Sequence, residues 1–329
     1  MESMYMSWPG LIKDALDKWS MFGIEKGFNK ITIAGMGGSG IVGDYIATLA
    51  ITNNNYKYPV YVVKSHVIPG FVDSETLFIA VSYSGNTVET LKATGQAIKR
   101  GAYVVTVSSG GLLKKYFADK GALHIDLPEG LAPRAALPVM LYRILGLLDT
   151  SGYTLVDKKT AESSLVFLNK DLESIYKISE EMATWIYREH RELVIATHVP
   201  LESLATRGKN EFNENSKTLV KLDIAPEWMH NDIVGYEKPF TRDHCVLEIV
   251  DPDDKVGVQL VEFMDEIYRD LGLSTYRLAL RGSNLLEKLI YGTLIIGLAS
   301  VKLARLRGID PLETRNISRY KSIAHKVFN

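Results

Sequence analysis

Residues 77–90, LFIAVSYSGNTVET, constrain the fold more than any other part of the chain. An apolar run typical of a buried strand leads directly into a turn of Ser, Gly, Asn and Thr, and a helical pattern begins after that turn. Ser82, Ser84 and Thr87 place three hydroxyls in the turn. Gly85 lets the backbone approach a ligand closely, and the N–H groups of a helix N-terminus favour anions. We therefore expect a βα unit whose turn binds a phosphate group.

The same turn is also compatible with an ordinary capped connection that binds nothing, because Ser, Thr and Asn are favoured at helix starts. Asn86, followed by Glu89 three residues later, predicts a helix N-cap at Asn86. The turn contains no Lys, whereas the P-loop pattern G-x-x-x-x-G-K-[ST] requires one. A nucleoside triphosphate with magnesium is therefore disfavoured, and a small phosphate monoester fits the neutral hydroxyls better.

A second glycine-rich segment, GMGGSG at residues 35–40, follows the apolar run ITIAG. It satisfies the spacing G-x-G-x-x-G of dinucleotide-binding turns. Those sites also need an acidic residue at the end of the second strand, where this chain has Lys64, Ser65 and His66. We therefore favour another anionic ligand over a nicotinamide cofactor. The later turn SSGG, residues 108–111, is interpreted as an ordinary connection.

Short apolar runs alternate with helical patterns along the chain, which predicts an α/β fold with doubly wound parallel sheets. In the first half, these runs begin at Ile31, Val60, Leu77, Tyr103 and His124. The second half repeats the alternation with ELVIAT, CVLEIV and TYRLAL as its strands. At 329 residues the chain exceeds the usual size of one hydrophobic core. We predict two such domains in tandem, residues 1–152 and 153–329, divided in the polar stretch DTSGYTLVDKKTAES.

Charge and cysteine content argue against several classes of protein. Lys and Arg number 38 against 39 Asp and Glu, so the chain lacks the basic field of a nucleic-acid binder. No apolar run approaches the length needed to span a bilayer and no signal peptide is recognised, which predicts a cytoplasmic protein without membrane contacts. The single cysteine, Cys245, fits a buried strand better than a nucleophile. Seven scattered histidines without ligand spacing predict that no metal or other cofactor is bound.

Five features in order resemble the two-domain sugar isomerase (SIS) superfamily: GMGGSG, SYSGNT, NENSK, the histidine of WMHND and a Lys near the C-terminus. The resemblance is greatest to the archaeal-type bifunctional phosphoglucose/phosphomannose isomerases and extends from about Gly35 to Lys321. It implies an aldose–ketose isomerase, acting through an enediol, that interconverts glucose 6-phosphate and mannose 6-phosphate with fructose 6-phosphate.

The resemblance also implies a role for ten residues. The implied substrate-binding residues are Gly38, Ser39, Ser82, Ser84, Thr87 and Thr314, and the implied catalytic residues are Arg134, Glu214, His230 and Lys321. Thr314 corresponds to a threonine that leaves room for either C2 epimer. His230 and Lys321 correspond to the pair that opens the sugar ring. Lys326 is an alternative to Lys321, because both lie in the tail RYKSIAHK.

The chemistry of these side chains is compatible with those roles, although each has an ordinary alternative. An enediol reaction needs a base that moves a proton between neighbouring carbons, and Glu214 suits it. Glu211 lies nearby, and acids in polar helices usually face solvent. Arg134 suits an enediolate oxygen but also an ion pair at a helix start. A histidine such as His230 can shuttle protons near neutral pH, yet lone histidines are more often structural, and Lys321 fits an exposed charge equally well.

Two other functions are compatible with this scaffold. A glutamine-dependent sugar phosphate aminotransferase would need an N-terminal domain with a nucleophilic cysteine, which Cys245 cannot supply. A non-catalytic regulator that binds a sugar phosphate would need a DNA-binding or partner segment, and none is evident. The resemblance further implies a homodimer with composite sites, in which His230 of one chain completes the site of the other.

Overall fold

The computed structural model describes residues 1–328, with the backbone alone at Tyr116 and Ala118. The chain divides into two compact units. The N-terminal unit comprises Met6–Leu165 and the segment that begins at Thr314, and the C-terminal unit comprises Val166–Glu313 with Met1–Tyr5. This division differs from the predicted boundary after residue 152. The polar stretch packs on the N-terminal unit, where the Ser151 hydroxyl accepts a hydrogen bond from the Ile24 N–H at 3.0 Å.

The strands of the described chain form two separate parallel sheets. They are β1 (Lys30–Gly35), β2 (Val60–Val63), β3 (Thr76–Val81), β4 (Tyr103–Ser108), β5 (Leu123–Asp126), β6 (Glu192–His198), β7 (Val220–Ala225), β8 (His244–Val250) and β9 (Thr275–Ala279). The N-terminal unit has the order β2-β1-β3-β4-β5 and the C-terminal unit the order β7-β6-β8-β9. All neighbouring strands are parallel, which confirms the predicted fold class.

Helices occupy most of the connections between the strands and both ends of the described chain. They are α1 (Glu2–Met6), α2 (Trp8–Asp17), α3 (Gly37–Thr52), α4 (Val88–Lys99), α5 (Gly111–Ala118), α6 (Leu137–Thr150), α7 (Lys158–Glu189), α8 (Glu202–Glu211), α9 (Asp232–Gly235), α10 (Lys255–Asp270), α11 (Leu285–Leu306) and α12 (Arg315–Val327). A π-helical turn, Phe212–Ser216, continues α8, and a 3-10 turn, Glu227–His230, precedes α9.

The central strand of the N-terminal sheet is buried on both faces. Every residue of β3 is buried, as expected of a strand covered by helices on both faces. In the parallel register Gly35 pairs with Val81, so the segments GMGGSG and SYSGNT leave the sheet side by side. The two segments of the predicted phosphate site therefore lie side by side at the carboxyl edge of this sheet, after β1 and β3.

Helix α11 corrects one sequence-based expectation. It is long and apolar enough to cross a membrane by length and composition alone, so the statement that no apolar run reaches that length is wrong. Its side chains from Leu286 to Ala304 are buried inside the protein. That arrangement is the one expected of a core helix, since a single such helix is weak evidence for a membrane span.

Candidate active site

The hydroxyl-rich turn of the N-terminal unit, residues 82–87 and here called the phosphate turn, connects β3 to α4. Ser82 is buried, and its hydroxyl lies 3.0 Å from that of Thr87. Ser84 is exposed. Gly85 has a φ of +67°, and a Cβ at this position would lie 1.8 Å from the carbonyl oxygen of Gly110. Glycine is therefore required by both conformation and space.

Asn86 does not cap α4, contrary to the prediction. The N-cap is Thr87, which makes no side-chain capping bond. The Asn86 amide instead donates to the Ser84 carbonyl at 3.1 Å and accepts from the Leu112 N–H at 3.0 Å. The side chain thus joins the phosphate turn to the start of α5, and residues 108–111 behave as a packing connection.

The glycine loop, residues 35–40, is bonded directly to the phosphate turn. The Ser39 hydroxyl is buried and accepts a hydrogen bond from the Tyr83 N–H at 3.0 Å. Its oxygen also lies 3.8 Å from the sulfur of Met140. Ser39 therefore holds the two segments together from the inside.

The structure brings Arg134 to the same place. A Cβ at Gly38 would lie 3.0 Å from the backbone nitrogen of Arg134, which is tighter than most real Cβ contacts, so glycine favours this close approach. Sequence reasoning missed Tyr83, whose hydroxyl donates to the Pro128 carbonyl and accepts from the Leu131 N–H, both at 2.8 Å. The aromatic residue inside a hydroxyl-rich turn was the available signal. Tyr83 ties the loop that precedes Arg134 to the phosphate turn.

The end of β2 is unsuited to a dinucleotide ribose. Lys64 directly follows this strand and forms an ion pair with Asp44 of α3. A cation therefore occupies the position where such sites place a carboxylate.

Helix α12 places Thr314 and Lys321 in the same unit as the phosphate turn. Thr314 is the N-cap residue of the helix and is half-buried. Tyr320 donates a hydrogen bond to the carboxylate of Glu89, which lies in the first turn of α4. Lys321 is exposed near the middle of α12 and directly follows Tyr320, whereas the exposed Lys326 lies near the C-terminal end of the helix.

The structure separates the two acids of the segment NEFNENSK in the C-terminal unit. Glu211 is fully buried, is paired with Arg207, and accepts hydrogen bonds from the Tyr5 hydroxyl and from the Asn215 amide. Burial raises the pKa of Tyr5, which keeps that hydroxyl a donor. These buried interactions of Glu211 are the pattern of a structural acid.

Glu214, the predicted base, is half-buried in the π-helical turn. Lys217 has a φ of +55° and ends this turn. Its ammonium group donates to the Glu214 carbonyl at 2.8 Å and to the Asp310 carbonyl at 3.0 Å. The Lys217 side chain thus holds the backbone around Glu214. π-Helical turns occur disproportionately at functional sites.

His230, the predicted ring-opening histidine, is exposed at the end of the 3-10 turn. Its neighbour Asn231 donates to the Glu227 carboxylate at 2.6 Å and caps α9 through the Asp232 N–H. In the part of the chain that the structure describes, no group of three or more His, Cys, Asp or Glu residues could hold a metal ion.

Comparison with known proteins identifies the family. Residues 176–323 match the family described as bacterial phospho-glucose isomerase C-terminal SIS domain. A bifunctional phosphoglucose/phosphomannose isomerase of Aquifex aeolicus is 34% identical over 297 residues, covering 89% of this chain and 90% of the relative. A D-glucosamine-6-phosphate 4-epimerase of Sulfolobus acidocaldarius is 30% identical over 332 residues, covering 99% of each chain.

A solved structure shows the same fold at low identity. A hypothetical protein from Thermus thermophilus has a TM-score of 0.78 at 14% identity, with 99% of this chain and 90% of that chain covered. The family predicted from the motifs is therefore confirmed. The chain belongs to the family of bifunctional phosphoglucose/phosphomannose isomerases.

Proposed function

We propose that this enzyme is an aldose–ketose isomerase that interconverts glucose 6-phosphate and mannose 6-phosphate with fructose 6-phosphate. The observation that carries the proposal is that the two neighbouring acids have different environments. Glu211 is buried in an ion pair with Arg207, and Glu214 is half-buried. A carboxylate in a partly dry site is suited to general-base catalysis. The names of its curated relatives support the same reaction.

In the proposed reaction, the phosphate turn binds the phosphate group and takes no part in bond breaking. The hydroxyls of Ser82, Ser84 and Thr87, with the N–H groups that begin α4, offer donors to the phosphate oxygens. The Gly38–Ser39 backbone completes this side of the pocket. These contacts are the same in substrate and product, so they contribute binding rather than rate.

Glu214 moves the proton. Its carboxylate takes the proton from C2 of the aldose, the C1 carbonyl oxygen gains a proton, and an enediol forms. Return of the carbon-bound proton to C1, with loss of the O2 proton, gives the ketose. Arg134 stabilises negative charge on the enediolate oxygen, and His230 with Lys321 opens the sugar ring. Thr314 leaves room for both C2 epimers.

We further propose a cytoplasmic homodimer that binds neither nucleic acid nor membrane and needs no metal or other cofactor. His230 is exposed on a turn that begins after Pro226, so it is free to reach a second copy of the chain. A two-fold interface would then give two equal composite sites.

The name of the Sulfolobus relative raises a second candidate, epimerisation of glucosamine 6-phosphate at C4. One assay separates the two functions. Purified protein is given glucose 6-phosphate or mannose 6-phosphate with a coupled measurement of fructose 6-phosphate, and glucosamine 6-phosphate with chromatographic detection of its epimer. The proposal expects fructose 6-phosphate from both aldoses, and epimer formation alone would replace it with the second candidate.

A further inference from the structure

The segment that carries His230 is held at both ends by buried aromatic residues. Trp228 lies two residues before His230 and is fully buried, and Tyr236 follows it at the end of α9 with only 6% of its surface exposed. Between these anchors His230 is exposed to solvent. The position of its imidazole therefore depends on how firmly the two anchors are fixed.

Asp223 of β7 is the polar centre of this anchorage. Its carboxylate is fully buried and accepts hydrogen bonds from the Tyr236 hydroxyl at 2.6 Å and the Tyr268 hydroxyl at 2.8 Å. Lys221 forms an ion pair with the other carboxylate oxygen at 2.8 Å. A buried carboxylate with these partners has few alternative arrangements, because each one would leave a charge or a donor unpaired.

The same residues pack through their rings. The Trp228 and Tyr236 ring centroids are 5.5 Å apart, and that of Tyr268 lies 5.8 Å from Trp228 and 5.3 Å from Tyr236. Burial raises the pKa of both tyrosines, so their hydroxyls stay protonated and continue to donate. Both ends of the His230 segment are thus attached to one cluster.

We propose that Asp223 and Tyr236 are positioning residues that fix the approach of His230 to the sugar. This inference rests on the proposed role of His230 in ring opening. Asp223 touches no reacting atom in this scheme. Of the two tyrosines whose hydroxyls donate to Asp223 in the described chain, Tyr236 is the one that lies on the His230 segment. Asp223 therefore acts on His230 through Tyr236.

Tyr268 provides a matched control. Its hydroxyl donates to the same oxygen of Asp223, but the residue belongs to α10 and not to the His230 segment. Replacement by Phe removes a hydrogen bond to Asp223 in either case. Tyr236→Phe also removes a long hydrogen bond, 3.4 Å, that the Lys221 ammonium donates to the Tyr236 hydroxyl. A purely structural role predicts similar effects of Tyr236→Phe and Tyr268→Phe, whereas positioning of His230 predicts different effects.

The test measures kcat and KM for isomerisation in both Phe variants, in His230→Asn and in the double variant Tyr236→Phe/His230→Asn. Equilibrium unfolding first establishes that each protein is folded at the assay temperature. We expect Tyr236→Phe to lower kcat about tenfold with KM within about twofold, since small misplacements of a catalytic group are costly. Tyr268→Phe should stay within about twofold of wild type, and Tyr236→Phe should cause no further loss once His230 is absent.

Hydrogen exchange of residues 227–235 gives a second readout, and Tyr236→Phe should accelerate it more than Tyr268→Phe. The inference is overturned if the two Phe variants lose kcat equally. It is also overturned if Tyr236→Phe lowers kcat of the His230→Asn enzyme as much as it lowers kcat of wild type. If His230→Asn is impaired but Tyr236→Phe is not, the positioning role alone is wrong. If His230→Asn retains full activity, its ring-opening role is wrong as well.

Discussion

At the scale of single residues, the central distinction is between two acids three positions apart. Glu214→Gln keeps the side-chain shape but removes the proton acceptor, so we expect kcat to fall at least ~100-fold with little change in KM. Glu211→Gln is the matched control. It weakens the buried pair with Arg207, so it should lower the free energy of unfolding by about 2–4 kcal/mol and leave kcat of the folded enzyme near wild type. If kcat falls in Glu211→Gln and stays near wild type in Glu214→Gln, Glu211 is the catalytic base.

A second residue-scale prediction concerns pH and stability. Glu248 of β8 is buried beside Arg277, with the guanidinium Nε 2.7 Å from the carboxylate. Burial raises the pKa of Glu248 from 4.5 to about 7 despite this cation. The folded protein therefore keeps a proton that the unfolded chain has lost. This carboxyl makes the free energy of unfolding decrease as pH rises between those two values.

Glu248→Gln removes that dependence and keeps an acceptor for Arg277. The difference in unfolding free energy, variant minus wild type, should become more positive by about 1–3 kcal/mol between pH 4.5 and pH 8. Chemical denaturation at several pH values measures it. Parallel pH profiles for the two proteins would show that Glu248 is ionised alike in the folded and unfolded states.

At the scale of secondary-structure elements, the turn between β3 and α4 is expected to contribute binding. Ser84→Ala and Thr87→Ala should each raise KM about tenfold and change kcat less than about twofold, because hydrogen bonds to a non-reacting phosphate are equal in ground and transition states. Thr52→Ala, at the end of α3, is the control, since that hydroxyl bonds only to backbone carbonyls of its own helix. Initial-rate kinetics measure KM. A wild-type KM in both turn variants would mean that the turn is an ordinary connection and does not bind the phosphate group.

Most elements were predictable because their side chains repeat a simple pattern. The strands that are buried on both faces, such as β3, are continuous apolar runs and were recognised. Strand β7 was missed because Lys221 and Asp223 interrupt its apolar pattern, and it lies at the sheet edge. Helix α8 ends at Glu211 and continues as a π-helical turn, for which the residues carry no periodic signal.

The candidate site was less predictable than the fold. Glu211 and Glu214 share one polar segment, and the burial of Glu211 depends on Tyr5, which is 206 positions away in the chain. The prediction that Asn86 caps α4 was wrong for a similar reason, because the side-chain oxygen of Asn86 accepts a hydrogen bond from the distant Leu112 N–H. Local sequence specified the hydroxyls, the glycines and the charges. Contacts between distant segments decided which of them are structural.

At the scale of the whole molecule, the proposed composite site predicts complementation between inactive chains. Glu214→Gln and His230→Ala chains, refolded together, should form heterodimers in which one site carries both lesions and the other carries neither. Activity should return to roughly half that of wild type per heterodimer. Subunits tagged differently allow the heterodimer to be purified before assay. A purified heterodimer without activity would mean that each His230 serves its own chain.

The most direct test of the account is isomerisation of fructose 6-phosphate in deuterium oxide, followed by NMR of the aldose phosphates formed. Proton transfer by Glu214 through an enediol predicts deuterium at C2 of glucose 6-phosphate and of mannose 6-phosphate, because the carboxyl proton exchanges with solvent during part of the turnovers. The Glu214→Gln enzyme should form at least ~100-fold less of both labelled products. Aldose phosphates without deuterium at C2, or labelling that is unchanged in Glu214→Gln, would contradict the account.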